Sequence, residues 1–278
     1  MHVVYAENFK LDAGACFGVV PKTLWSKQVQ ADENNLIDIY NRLLLIKEDN
    51  KLILIDAGIG NKLEEKVSAY YYISGKDNLE KSFQSLGYSF NDVTDIILTH
   101  LHFDHVGGVF KMNDEMKTEP VFPNASYWCS EVQWLWATVQ PNSREKASFF
   151  PINLQPLTDS GKLNLIKNEQ QFSENIFLKI LNGHTVGQIM PIINYRGRKI
   201  VYAADFIPSS AHIHVPFVPG YDIQPLVSLE EKEIFLKEAF ENNYILFFEH
   251  DADHECCTLQ LNKNKFEAKV FFCLDEIK

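Results

Sequence analysis

The chain has 278 residues, 46% of them apolar and 23% charged, which excludes a disordered protein and supplies enough apolar side chain for a layered core. Twenty-six basic residues against 37 acidic ones leave a net charge of −11, which repels phosphate backbones and argues against a nucleic-acid partner. Five cysteines form an odd set without CxxC spacing, and no eighteen apolar residues run uninterrupted, so the chain is expected to be cytoplasmic, reduced and without a membrane span.

No Ser/Gly linker, low-complexity tract or repeat divides the sequence, so residues 1–278 are expected to form a single domain. Residues 43–46 and 52–55 are apolar runs flanking a polar cluster at 48–50, which predicts a hairpin. A helix is predicted over 77–86, ended by Gly87, and it feeds a buried strand over 95–99. Further on, 176–181, 189–194 and 200–204 read as strands, 229–241 as an amphipathic helix and 244–248 as a last buried strand. The basic strip at 196–199 lies between two of these strands and reads as a solvated turn. Strands paired with helices in both halves predict two sheets packed face to face with helices outside.

The informative stretch follows the strand at 95–99, where His100, His102, Asp104 and His105 place four potential ligands within six positions. Where a strand opens into a loop, His100 and His102 can point the same way, and the next turn can bring Asp104 and His105 beside them. Gly107 and Gly108 permit a tight exit. Three more candidates each end an apolar run: His184, Asp205 and His250. Five imidazoles and two carboxylates suffice for two divalent ions if one carboxylate bridges.

This pattern resembles the metallo-β-lactamase superfamily, whose HxHxDH loop, later His, bridging Asp and final His match His100, His102, Asp104, His105, His184, Asp205 and His250, from about Leu43 to His250. The turns at 56–58 and 183–188 are similar too. The resemblance implies an α/β fold, an αβ/βα four-layer sandwich with metals at one edge. It assigns His100, His102 and His184 to one metal, Asp104, His105 and His250 to the other, and Asp205 to both. Asp56 would accept from a ligating histidine. Zinc is the first expectation, although iron, manganese and cobalt suit the same donors. Such a pair of cations can share a hydroxide that attacks an ester or lactone carbonyl, with Asp104 moving its proton to the leaving group.

Among branches of this superfamily, the stretches 17–21, 54–60 and 205–213 are most similar to quorum-quenching N-acyl-homoserine lactonases and parathion-hydrolase relatives. The expected substrate is therefore a small ester or lactone, first of all an N-acyl-homoserine lactone, with an aryl ester or phosphotriester, or oxygenase chemistry on the same fold, as alternatives. Phe17, Phe103, Trp134, Phe150, His214 and Tyr221 are the expected substrate contacts, drawn from an aromatic-rich set that also includes Trp25, Trp136, Phe149 and Phe217. In the similar lactonases a tyrosine three residues past the bridging aspartate polarises the carbonyl, whereas here Pro208 has no donor. His212 is the expected replacement, as a catalytic hydrogen-bond donor to the oxyanion. The sequence carries no signal of oligomeric state.

Overall fold

A computed structural model describes residues 1–277 and divides them into two compact units. The first comprises residues 1–9 and 40–168, and the second comprises residues 10–39 and 169–277.

The first unit is built on a six-stranded sheet, in the spatial order His2–Tyr5, Arg42–Glu48, Lys51–Ile55, Asp95–Ile97, Ser126–Ser130 and Leu163–Ile166. The predicted hairpin is present, with Glu48 opposite Lys51 across the turn at Asp49 and Asn50. Leu43, Leu44, Leu45, Leu52, Ile53 and Leu54 are all buried, as expected of strands covered on both faces. From Lys51–Ile55 onward the pairings are parallel, so these strands deliver their C-terminal ends to one edge of the sheet. The helix Asn78–Ser85 ends where Gly87 takes φ 75°, a conformation that costs glycine nothing.

In the second unit seven strands follow one another in sequence order, from Gln170–Gln171 to Lys265–Phe272. Ile176–Leu181, Gln188–Tyr195, Arg198–Tyr202 and Ile245–Phe247 correspond to the predicted strands, and Pro225–Glu241 to the predicted helix. Because that helix joins two parallel neighbours, the strands 176–181, 198–202 and 245–247 run in one direction and end at one edge. The basic strip is the turn between 188–195 and 198–202, with Arg196 and Gly197 at positive φ. A hairpin of Cys256–Asn262 and Lys265–Phe272, which hydropathy did not predict, completes the sheet. No helix among the described residues is long and apolar enough to cross a membrane, and all five cysteines are free thiols.

The turn after Lys51–Ile55 and the loop after Asp95–Ile97 lie against each other. Gly108 N donates to Gly58 O at 2.9 Å, and a Cβ on Gly108 would stand 1.9 Å from Ala57 O. A Cβ on Gly107 would stand 2.0 Å from Ile59 O. These glycines serve close backbone approach, not a positive φ, since Gly107 lies at φ −61°. Gly108→Ala is therefore expected to force the two turns apart and cost about 1–3 kcal/mol. Urea denaturation of the variant checks this, and an unchanged midpoint would contradict it.

Candidate metal centre

Each unit carries a cluster of buried metal-type donors at the edge where its parallel strands end. In the first unit His100, His102, Asp104 and His105 follow Asp95–Ile97, and Asp56 follows the neighbouring strand Lys51–Ile55. Asp56 is fully buried and held at φ 58°, a strained conformation for a residue with a Cβ. Its carboxylate accepts from Thr99 N at 2.8 Å and Thr99 Oγ1 at 2.7 Å, and it faces His105 Nδ1 at 3.0 Å. Ala57 N donates to His105 O at 2.8 Å, which secures the same loop through its backbone.

His105 thus turns its Nε2 toward Asp104 Oδ2, 3.6 Å away. His100 meets Thr99 Oγ1 through Nδ1 at 3.1 Å, and its Nε2 stands 3.0 Å from His102 Nδ1. His102 places its other nitrogen, Nε2, 2.8 Å from Glu145 Oε1. The three rings are closely packed, with His100 and His105 centroids 3.9 Å apart and His100 and His102 centroids 4.4 Å apart.

The second unit repeats the device. His184 occupies the turn after Ile176–Leu181, where Gly183 admits no Cβ because Ser228 Oγ would lie 2.3 Å away. Glu231 accepts from Asn182 N at 2.8 Å and Gly183 N at 3.0 Å, which pins that turn to the long helix. His184 Nδ1 lies 3.0 Å from Asp222 Oδ1, and Asp222 Oδ2 accepts from Ser228 Oγ at 2.6 Å. The opposite nitrogen, Nε2, is 3.1 Å from Asp205 Oδ2, while His250 Nε2 is 2.7 Å from Asp205 Oδ1. Asp205 follows Ala204, held at φ 43°, and the Gln188 amide oxygen accepts from Asp205 N and Phe206 N at 3.2 Å each. His250 N donates to Pro208 O at 3.2 Å, which ties the loop after Ile245–Phe247 to the Asp205 loop.

These donors fit divalent cations. At 3.0 Å apart, His100 Nε2 and His102 Nδ1 are close enough for both to reach one ion through bonds of about 2.0–2.1 Å. The outer nitrogens of His100, His102, His105 and His184 each face an oxygen, the arrangement that fixes the tautomer of a ligating imidazole. Asp56 was anticipated in this role. Glu145 and Asp222 were not, because nothing local in the sequence marks them.

The expected substrate contacts are dispersed differently. Phe103 is nearly buried among Phe9, Tyr71 and Phe150, with ring centroids 6.2, 5.0 and 5.8 Å away. Phe150 remains half-buried, and Trp134 packs on the core of the first unit. The ring of Phe149 lies 5.1 Å from that of His102. In the second unit Tyr221 stands edge-on to His184 at 5.7 Å, and His214 is half-buried beside Phe217. Phe17 is a correction: it is fully buried, stacked between Trp25 at 5.3 Å and His212 at 4.7 Å, and offers no open wall.

His212 is a second correction. Its Nε2 donates to Cys16 O at 3.0 Å and its Nδ1 lies 2.8 Å from Ser209 Oγ, so its single neutral N–H is spent on the main chain. Burial pushes its pKa down to about 4, the Cys16 hydrogen bond resisting, with Lys232 adding to the fall and Asp222 and Asp251 opposing it. The folded value lies below the unfolded value of about 6.5, so this stability is complete above pH 6.5 and is lost as pH falls toward 4. Protonation is expected to cost about 3 kcal/mol. His212→Gln should flatten the acid limb of a pH–stability curve between pH 6.5 and 4, and an unchanged limb would contradict this account.

Comparison with known proteins identifies the family. A solved structure described as a probable metal-dependent hydrolase from Staphylococcus aureus is 28% identical, with a TM-score of 0.87 over 98% of this chain and 97% of that one. A structure of AidC, a dizinc quorum-quenching lactonase in complex with a product, is 24% identical with a TM-score of 0.77, over 98% and 94% of the two chains. Probable metallo-hydrolases of Mycobacterium bovis and Mycobacterium tuberculosis are 28% identical over 115 residues, 38% of this chain. The match spans about a third of the length of these curated relatives, 34%. Residues 43–250, most of the chain and every expected ligand, match the family model of the metallo-β-lactamase superfamily, and the chain belongs to that superfamily, with its α/β fold.

Proposed function

We propose that the two units work as one catalytic domain, and that the protein is a dinuclear metal-dependent hydrolase opening the ring of N-acyl-homoserine lactones. The observation that carries this reading is the donor set: five buried histidines and two aspartates, four of the imidazoles already oriented by an oxygen behind them. His100, His102 and His184 would hold one ion and Asp104, His105 and His250 the other, with Asp205 available to both. Its two oxygens facing different imidazoles support that bridging part. Zinc is the expected ion, and the dizinc lactonase of like fold supports both the ion and the substrate.

When bound, two such ions supply a water acidified toward pH 7 and polarise the ester carbonyl. Asp104 would accept a proton from the attacking water as the new C–O bond forms and would return it to the alkoxide oxygen as the ring C–O bond breaks, so the product would be a hydroxy acid. Pro208 has no donor and the N–H of His212 is committed to Cys16 O, so neither stabilises the oxyanion. Phe149, Phe150 and Tyr221 are the aromatic groups proposed to meet the acyl chain.

Two metal ions per chain are expected by elemental analysis, and Asp205→Ala should lower occupancy and turnover together. One ion or none in a fully active protein would overturn the dinuclear reading. Among lactones, tail length should change KM more than kcat, because remote contacts need not strengthen in the transition state. If steady-state rates on homoserine lactones did not exceed those on aryl esters and phosphotriesters, the hydrolase would be reassigned to those substrates.

A further inference from the structure

Three carboxylates stand behind the histidines, and they are of two kinds. Asp56 directly follows a central strand, and Asp222 is braced by the long helix through Ser228, so both belong to the scaffold. Glu145 does not. It lies beyond the helix Glu131–Val139, just before the short turn Lys146–Ser148, in a segment that leaves the sheet after Ser126–Ser130. Glu145 is nevertheless only 4% exposed.

Both of its oxygens are engaged. Oε1 lies 2.8 Å from His102 Nε2, and Oε2 accepts from the indole Nε1 of Trp136 at 2.6 Å. Its backbone is held as well, since Glu145 N donates to Asn142 Oδ1 at 3.0 Å. A buried carboxylate that receives two N–H groups is fixed in position, and here it fixes the plane of His102. The same segment meets His102 a second time, through the ring of Phe149 at 5.1 Å.

We propose that Glu145 is a positioning residue for His102, and that the chain His102–Glu145–Trp136 couples the segment 131–150 to metal binding at His102. This rests on the reading of His102 as a metal ligand. A cation on Nδ1 makes the Nε2–H a stronger donor and tightens the bond to Glu145 Oε1. The carboxylate then pulls less on the indole N–H, so the environment of Trp136 changes with occupancy. By linkage, whatever holds Glu145 in place favours metal binding, and metal binding favours the folded segment.

The experiment uses the full chain, stripped by chelator and titrated with zinc, with affinity read by competition against a chromophoric chelator and tryptophan emission followed in parallel. Glu145→Gln is expected to weaken zinc binding about 10-fold or more, the usual range for a lost outer partner being 10–100-fold. Trp136→Phe is expected to abolish most of the zinc-dependent emission change while leaving Trp25, Trp128 and Trp134 in place. Unchanged zinc affinity in Glu145→Gln, or a full emission response in Trp136→Phe, would overturn the proposal. If Glu145→Gln fails to fold, the Trp136→Phe emission arm decides alone. Failure of the wild-type protein to bind zinc would instead remove the underlying reading of His102, which separates the two.

Discussion

Packing imidazoles against one another in a dry interior is stable only if each ring has an acceptor for its proton and an electrophile for its lone pair. That constraint governs both donor clusters. His100 and His105 centroids approach to 3.9 Å, and His100 Nε2 comes within 3.0 Å of His102 Nδ1. Without a cation one of those two nitrogens must carry a proton that the outer oxygens also compete for. The oxygens of Thr99, Glu145, Asp56 and Asp222 choose the tautomer of the ring each one meets, and the proposed metal ions answer the other side of each ring.

The scaffold meets this demand by ending parallel strands at one edge in each unit and tightening the turns that follow. Close backbone approach at Gly107, Gly108 and Gly183 leaves no space for a side chain. Asp56 and Ala204 are held at positive φ, and each is at or beside a residue of the site. Strain of this kind, of order 1–3 kcal/mol per residue, persists only where surrounding contacts over-determine it. Here they do: Asp56 N donates to Ile97 O at 2.9 Å, and the Gln188 amide accepts from Asp205 N and Phe206 N.

What could be read from the sequence was what is local in it. The strands at 43–46 and 52–55 announce themselves by uninterrupted apolar runs, that at 176–181 by a run broken only at Lys179, and the donors at 100–105 by their spacing. Glu145 and Asp222 could not be found that way, because their partners lie 43 and 38 residues away and neither belongs to a spaced cluster of donors. His212 was misread for a conformational reason. Its place in the sequence near Pro208 suggested a free donor, whereas Ser210–Ile213 is a 3-10 turn that buries His212 against Phe17 and leaves His214 half-buried. Phe17 was misread because an aromatic side chain is equally at home in a core and on a pocket wall, and only packing distinguishes the two.

The central claim is that these donors form one dinuclear centre bridged by Asp205. Anomalous diffraction from crystals of the zinc-loaded protein, collected at the zinc edge, tests it most directly. The account predicts two peaks about 3.5–4 Å apart, one bonded to His100, His102 and His184, the other to Asp104, His105 and His250, with an oxygen of Asp205 on each. A single peak, or two peaks that do not share Asp205, would contradict it.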